Sequence, residues 1–271
     1  MLPARLALLL AATASLGIAG CATVSSENRA RLIDNPLASA HADIGFTITT
    51  GARGSAPCDE GVICPGASAS AEAVRFARQV QRLAGVLQKG AQDLYPDLQQ
   101  RAPGLPAGRF DVYVVDANEQ GSASSPNGRI ALNSVLGTQR PYDDWVAFVI
   151  AREMGHVIGR HHEENSMASM ATSTLMNILV PGSGLLKMLL SAGGSAIAGR
   201  SQRGSQALEA DAIARDLLEA AGFRLRDISL TLLIDPLVLD QSAWSGDFRR
   251  SSDNFLAHVR KTESVVVAAA R

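Results

Sequence analysis

The segment Ala151-Arg152-Glu153-Met154-Gly155-His156-Val157-Ile158-Gly159-Arg160-His161-His162 concentrates the side chains of this 271-residue chain that could do chemistry together. On a helix of 3.6 residues per turn, positions 152 and 156 lie one turn apart on the same face. Two histidines so placed bind a divalent metal, and a glutamate beside the first takes a proton from the metal's water. Here Glu153 stands in the base position and His156 in the second ligand position, but the first ligand position holds Arg152. A guanidinium donates hydrogen bonds only and is permanently charged, so it places a cation where a dication would sit. Catalytic zinc takes three protein ligands and a water, and one imidazole does not replace three donors.

Further segments extend the pattern. Gly128-Arg129-Ile130-Ala131-Leu132-Asn133 precedes the helix, Asn118 precedes that strand, and a Gly-rich apolar stretch runs from Leu175 to Gly199. Leu208-Glu209-Ala210-Asp211 and Leu217-Leu218-Glu219-Ala220-Ala221-Gly222-Phe223 follow. In these segments, over residues 108–224, the chain resembles the HtpX- and BepA-like membrane-associated zinc metallopeptidases. A weaker echo lies at Phe255-Leu256-Ala257-His258, where Val259 stands in place of the family's proline.

The resemblance implies that strand 129–133 edges the cleft and that a second helix supplies a glutamate ligand four residues before Asp211. That position is Ala207. Glu209 does not substitute, because a two-residue shift turns a helical side chain by about 200°. Two expected ligand positions, Arg152 and Ala207, are therefore substituted; His156 alone is retained, with Asp211 behind it. No cofactor is expected, and zinc enters only if an active, non-standard site exists. Arg152 is expected to pair with Asp211 or Glu153 in the metal's place, the alternative being that it reaches solvent over a collapsed cleft. His161, His162, His41 and His258 would have to converge to build a recruited metal site, and they read more plainly as surface or packing residues.

Around these residues, helical spacing marks 72–94, with Val74, Ala77, Gln81, Ala84, Leu87, Ala91 and Leu94 on one side. Strands are expected over 109–115 and 129–133, the second after the turn pair Asn127-Gly128, with a long loop at 116–126 between them. Pro141, Asp143 and Asp144 suit a helix start for 143–162, and another helix is expected over 209–221, ended by Gly222. The fold class expected is α+β: a mainly helical, zincin-like metallopeptidase domain over 71–262 with a small, mostly antiparallel sheet beside the active-site helix, then a tail at 263–271.

The N-terminus carries Arg5, an apolar run, and Ile18-Ala19-Gly20-Cys21, which resembles the lipobox of bacterial lipoproteins. Residues 1–20 are thus expected to be a cleaved signal peptide and Cys21 to be acylated, the alternatives being an uncleaved anchor or ordinary secretion. Alanine after Cys21 favours the periplasmic face of the outer membrane. Residues 21–70, rich in Ala, Ser and Gly, read as a tether with little periodicity. Within it, Cys58 and Cys64 would form a small disulfide loop in an oxidising compartment. With 25 basic and 26 acidic residues the chain lacks the charge excess of a nucleic-acid binder. No G-x-S-x-G elbow or Walker A loop supports another chemistry.

The expected function is that of a lipid-anchored pseudopeptidase: a polypeptide-binding adaptor or chaperone in envelope protein quality control, binding extended chains at an edge strand. Two alternatives stay open, an active zinc endopeptidase with Glu153 as base and a structural lipoprotein without a working cleft.

Overall fold

The computed structural model describes residues 22–24, 30–32, 36–50, 71–115, 121–138, 141–166, 204–234 and 242–269. In chain order these form β1 (Ala22–Val24), β2 (Ala30–Leu32), α1 (Pro36–Thr50), α2 (Ala71–Leu94), the short α3 (Leu98–Arg101), β3 (Asp111–Val115), β4 (Ser122–Ser124), β5 (Arg129–Asn133), the short α4 (Val135–Thr138) and α5 (Asp143–Ile158). Helices α6 (161–166) and α7 (204–220) follow, then α8 (Leu225–Ile234) and α9 (Ala243–Ala269). Cys21, Cys58, Cys64, Asn118 and the 175–199 stretch lie outside the described residues.

The α+β expectation holds, with one change in the sheet. Its order is β3-β5-β4: β3 runs parallel to β5 from Asp111↔Arg129 to Val115↔Asn133, while β4 runs antiparallel to it from Ser122↔Leu132 to Ser124↔Ile130. The sheet is therefore mixed rather than mostly antiparallel, because β4 forms inside the stretch read as a loop and pairs with β5 across the Asn127-Gly128 turn. Strand β5, expected at the edge of the cleft, is central and buried along its whole length; the edge belongs to β4.

The sheet's two edges differ. Along β3, the Gln88 amide donates to the Gly108 carbonyl and its oxygen accepts from the Phe110 N–H, while Gln81 donates to the Val112 carbonyl. Two side chains seven residues apart on α2 thus occupy that edge as a neighbouring strand would. This also explains why the buried stripe of α2 is Phe76, Ala77, Val80, Leu83, Leu87 and Ala91, with Gln81 and Ala84 on its flank instead of at its centre. On β4, Gly121 accepts from the Asn133 N–H and the Ser125 N–H donates to Arg129. Ladder bonds to β5 therefore fall on 121, 123 and 125, and the main-chain groups of Ser122 and Ser124 point outward.

Alternation sends Val112, Val114, Ile130 and Leu132 into the large core shared with α2 and α5, and Tyr113, Val115 and Ala131 to the other face. There Phe46 of α1 covers them, held by the Arg129–Asp43 ion pair and by the Arg129 guanidinium 4.9 Å above the Phe46 ring. Residues 36–50 are thus a helix on the sheet within the stretch expected to be a tether. Its apolar contacts are few, and a periodicity search has little to find in them.

Helix α5 is buried on nearly every side. It ends earlier than expected, at Ile158; Gly159 and Arg160 turn the chain, Arg160 adopting φ of 56°, and α6 starts afresh at 161. Crossing α5, helix α7 approaches so closely that a Cβ at Gly155 would lie 2.5 Å from the Ala210 carbonyl oxygen. Phe148 of α5 packs edge-on against Phe248 and Phe255 of α9, at 5.8 and 5.0 Å between ring centroids, which locks the C-terminal helix over α5.

Gly155→Val should therefore destabilise the chain by about 1–3 kcal/mol or more through overpacking at the helix crossing. By contrast Gly85→Ala, on an exposed α2 position with nothing within 4 Å of the new methyl, should stabilise by about 0.5–1 kcal/mol. Urea midpoints measure both, and equal midpoints for Gly155→Val and wild type would refute the close crossing.

Candidate functional site

The α5–α7 crossing places Arg152, Glu153, His156 and Ala207 on the wall of one cleft of about 1150 Å³. Strand β4 forms the opposing rim, Trp244 and Asn254 of α9 line one side, and His161 and His162 of α6 close the end. The cleft is open, so Arg152 does not overlie a filled groove.

Arg152 is almost wholly buried, with 7% of its side chain exposed. Its Nε donates to Ser251 Oγ at 2.7 Å, and the guanidinium lies 3.6 Å from Glu153 Oε1 and 3.7 Å from Asp211 Oδ1. At such distances the two carboxylates are held by charge and the serine by a hydrogen bond. Asp211 is fully buried; its Oδ2 accepts from Asn254 at 3.3 Å and its Oδ1 accepts no hydrogen bond. Burial pushes its pKa up, and the Arg152 charge pulls it back.

Both Glu153 oxygens are also taken from the strand side. Ser122 Oγ donates to Oε1 at 2.8 Å and Ser124 Oγ donates to Oε2 at 2.6 Å. Trp244 Nε1 donates in turn to Ser122 Oγ at 2.9 Å, and His162 Nε2 lies 2.9 Å from Ser124 Oγ. Burial lowers the His162 pKa to about 4, so at neutral pH the ring is uncharged and, with its proton on Nε2, donates to the serine. Glu153 thereby fastens β4 to α5, with neither oxygen left bare toward the cleft.

The third feature depends on the break after Ile158. Within a continuous helix, residues 156 and 161 would point about 140° apart. Because the chain restarts at 161, the His161 ring turns back until its Nδ1 is 3.0 Å from His156 Nδ1, and its Nε2 lies 3.2 Å from Glu209 Oε2. The approach is close enough that a Cβ at Gly159 would meet the His161 ring at 2.6 Å. Glu209, turned away from the ligand position as helical geometry requires, thus faces an imidazole. Burial, the Arg152 charge and the neighbouring imidazoles hold the His156 pKa well below its usual value.

Of the other histidines, His41 meets Ser166 at 3.4 Å, and His258 is exposed on α9; neither lines the cleft. The residues that sequence reasoning missed are Ser122, Ser124, Trp244 and Ser251. The alternation Ser122-Ala123-Ser124 before a Pro-Asn-Gly turn carried a strand signal, and Phe248, Ser251 and Phe255 share a helical spacing; both were readable but short.

If Arg152 compensates the buried carboxylates, Arg152→Met should cost about 3–5 kcal/mol by leaving them without a cation. Adding Asp211→Asn should then recover a large share of that loss, as a double-mutant cycle in urea denaturation would show. Strict additivity of the two substitutions would contradict the pairing.

No curated protein and no solved structure matches this chain. The family model described as peptidase family M48 matches residues 84–250, which takes in the sheet, the helix carrying Arg152 to His156, helices α7 and α8, and the start of α9. The chain therefore belongs to peptidase family M48, and its domain is metallopeptidase-like.

Proposed function

We propose that the chain is a pseudopeptidase: an exported lipoprotein, acylated at Cys21 and held at the periplasmic face of the outer membrane, that binds extended polypeptides without hydrolysing them. The role that fits is adaptor or chaperone in envelope protein quality control. The observation that carries this reading is the buried guanidinium of Arg152 between Glu153, Asp211 and Ser251, beside an open cleft.

The family implies zinc, and the residues present do not fit it. Of the three positions that would supply donors, one holds a cation, one an imidazole and one the methyl of Ala207. Among the described residues no group of three His, Cys, Asp or Glu side chains is arranged to hold a metal ion. A guanidinium fixed at the cleft wall repels a dication through the same low-dielectric space that strengthens its own pairing. Glu153, the residue that would accept a proton, receives hydrogen bonds on both oxygens.

Binding without cleavage is supported by the unequal sheet edges. Gln81 and Gln88 cap β3, whereas the outward main-chain groups of Ser122 and Ser124 face the cleft, ready for strand addition. Trp244, stacked on Phe248 at 5.1 Å, and the exposed Leu208 supply apolar surface beside that edge.

The test uses a fluorescein-labelled, reduced and carboxymethylated polypeptide with the full chain in detergent. Fluorescence anisotropy should report saturable binding, and mass spectrometry should find no fragments after prolonged incubation with zinc. An unlabelled extended peptide should compete, and the same peptide N-methylated at alternate residues should not, since strand pairing needs its N–H groups. Zinc-dependent fragments that vanish in Glu153→Gln would overturn the reading.

A further inference from the structure

We propose that His156 is a fixed hydrogen-bond acceptor in the cleft, set in that polarity by a relay from Glu209 through His161, and that it receives a neutral N–H or O–H donor of the bound chain. This rests on the polypeptide-binding reading and names the contact by which that cleft recognises its ligand.

The polarity follows from counting protons. A carboxylate only accepts, so the His161 nitrogen facing Glu209, 3.2 Å away, carries a proton. Both residues are 1% exposed, which shields the contact from water. With its proton on Nε2, neutral His161 has a bare Nδ1, and that atom faces His156 Nδ1 at 3.0 Å. One proton must lie between two nitrogens at this separation, so it belongs to His156 Nδ1. His156 Nε2 is then a bare lone pair, and among the described residues it has no hydrogen-bond partner.

The same imidazole lies on the cleft wall, its ring centroid 6.2 Å from that of His162, which bonds to Ser124 on β4. The acceptor and the outward main-chain groups of β4 therefore address one occupant. Arg152 decides which donor it takes: the guanidinium sits one helical turn away, so an ammonium is repelled and a neutral amide or hydroxyl is preferred. A main-chain N–H of an extended polypeptide meets both conditions.

Glu209→Gln tests the relay because it is isosteric and reverses the proton order. A glutamine amide donates to His161 Nε2, which moves the His161 proton to Nδ1 and turns His156 into an Nε2–H donor. Long-range 1H–15N correlation spectra of histidine-labelled full chain at pH 8 should show His156 protonated on Nδ1 in the wild type and on Nε2 in Glu209→Gln. Protonation on Nε2 in the wild type overturns the proposal without any variant.

Anisotropy with the labelled carboxymethylated polypeptide gives the second readout. Affinity should fall about tenfold in Glu209→Gln and in His156→Phe, the scale of one hydrogen bond lost or reversed. A reversed tautomer with unchanged affinity removes the acceptor role while leaving the relay. Failure of the wild type to bind the polypeptide removes the polypeptide-binding reading itself, and the spectra would still separate that result from a failed relay.

Discussion

Burying a guanidinium costs several kcal/mol unless anions and hydrogen-bond acceptors surround it, and the elements around residue 152 are those that meet this condition. Glu153 comes from the same helix, Asp211 from α7 across the Gly155 crossing, and Ser251 from α9. Each approach has its own requirement elsewhere: a glycine where α7 passes Ala210, and the stacking of Phe148 with Phe248 and Phe255 that holds α9 in register. In a metal site a dication would neutralise the same carboxylates. A monovalent, planar cation does so with donors that are consumed in place, which leaves no open coordination position for substrate or water.

The consequence for Glu153 reaches the sheet. A carboxylate that no longer serves a metal-bound water is free to accept from Ser122 and Ser124, and in doing so it ties the edge strand to the helix. Residues at 122 and 124 point their side chains to α5 and their main-chain groups to the cleft, so one three-residue strand both closes the wall and offers a template. Gln81 and Gln88 deny the same template at β3. Such a division suits a protein that presents one strand-pairing edge and protects the other from unwanted association.

Much of the arrangement was legible because it lies in local chemistry. Helix α5 showed its start in Pro141 and Asp143, and the positions of Arg152, Glu153, His156, Ala207 and Asp211 followed from helical spacing alone. What escaped was set by tertiary context. A three-residue strand such as β4 carries too little pattern to be seen, and without it β5 reads as an edge. The helix break at Gly159-Arg160 escaped because Arg160 takes a left-handed conformation for which arginine has no intrinsic preference, and with it went the contact of His161 with His156. Helix α1 escaped because Phe46 is the single large side chain it buries. The acylation of Cys21 and the pairing of Cys58 with Cys64 stand on the sequence pattern.

The most direct measurement of the central claim is zinc stoichiometry by inductively coupled plasma mass spectrometry, for the wild type and for Arg152→His/Ala207→Glu after dialysis against micromolar zinc. If the guanidinium has taken the metal's place, the wild type retains no stoichiometric zinc, and the double substitution, which restores two donors beside His156, retains about one ion per chain. One zinc per wild-type chain, lost in His156→Ala, would contradict the account.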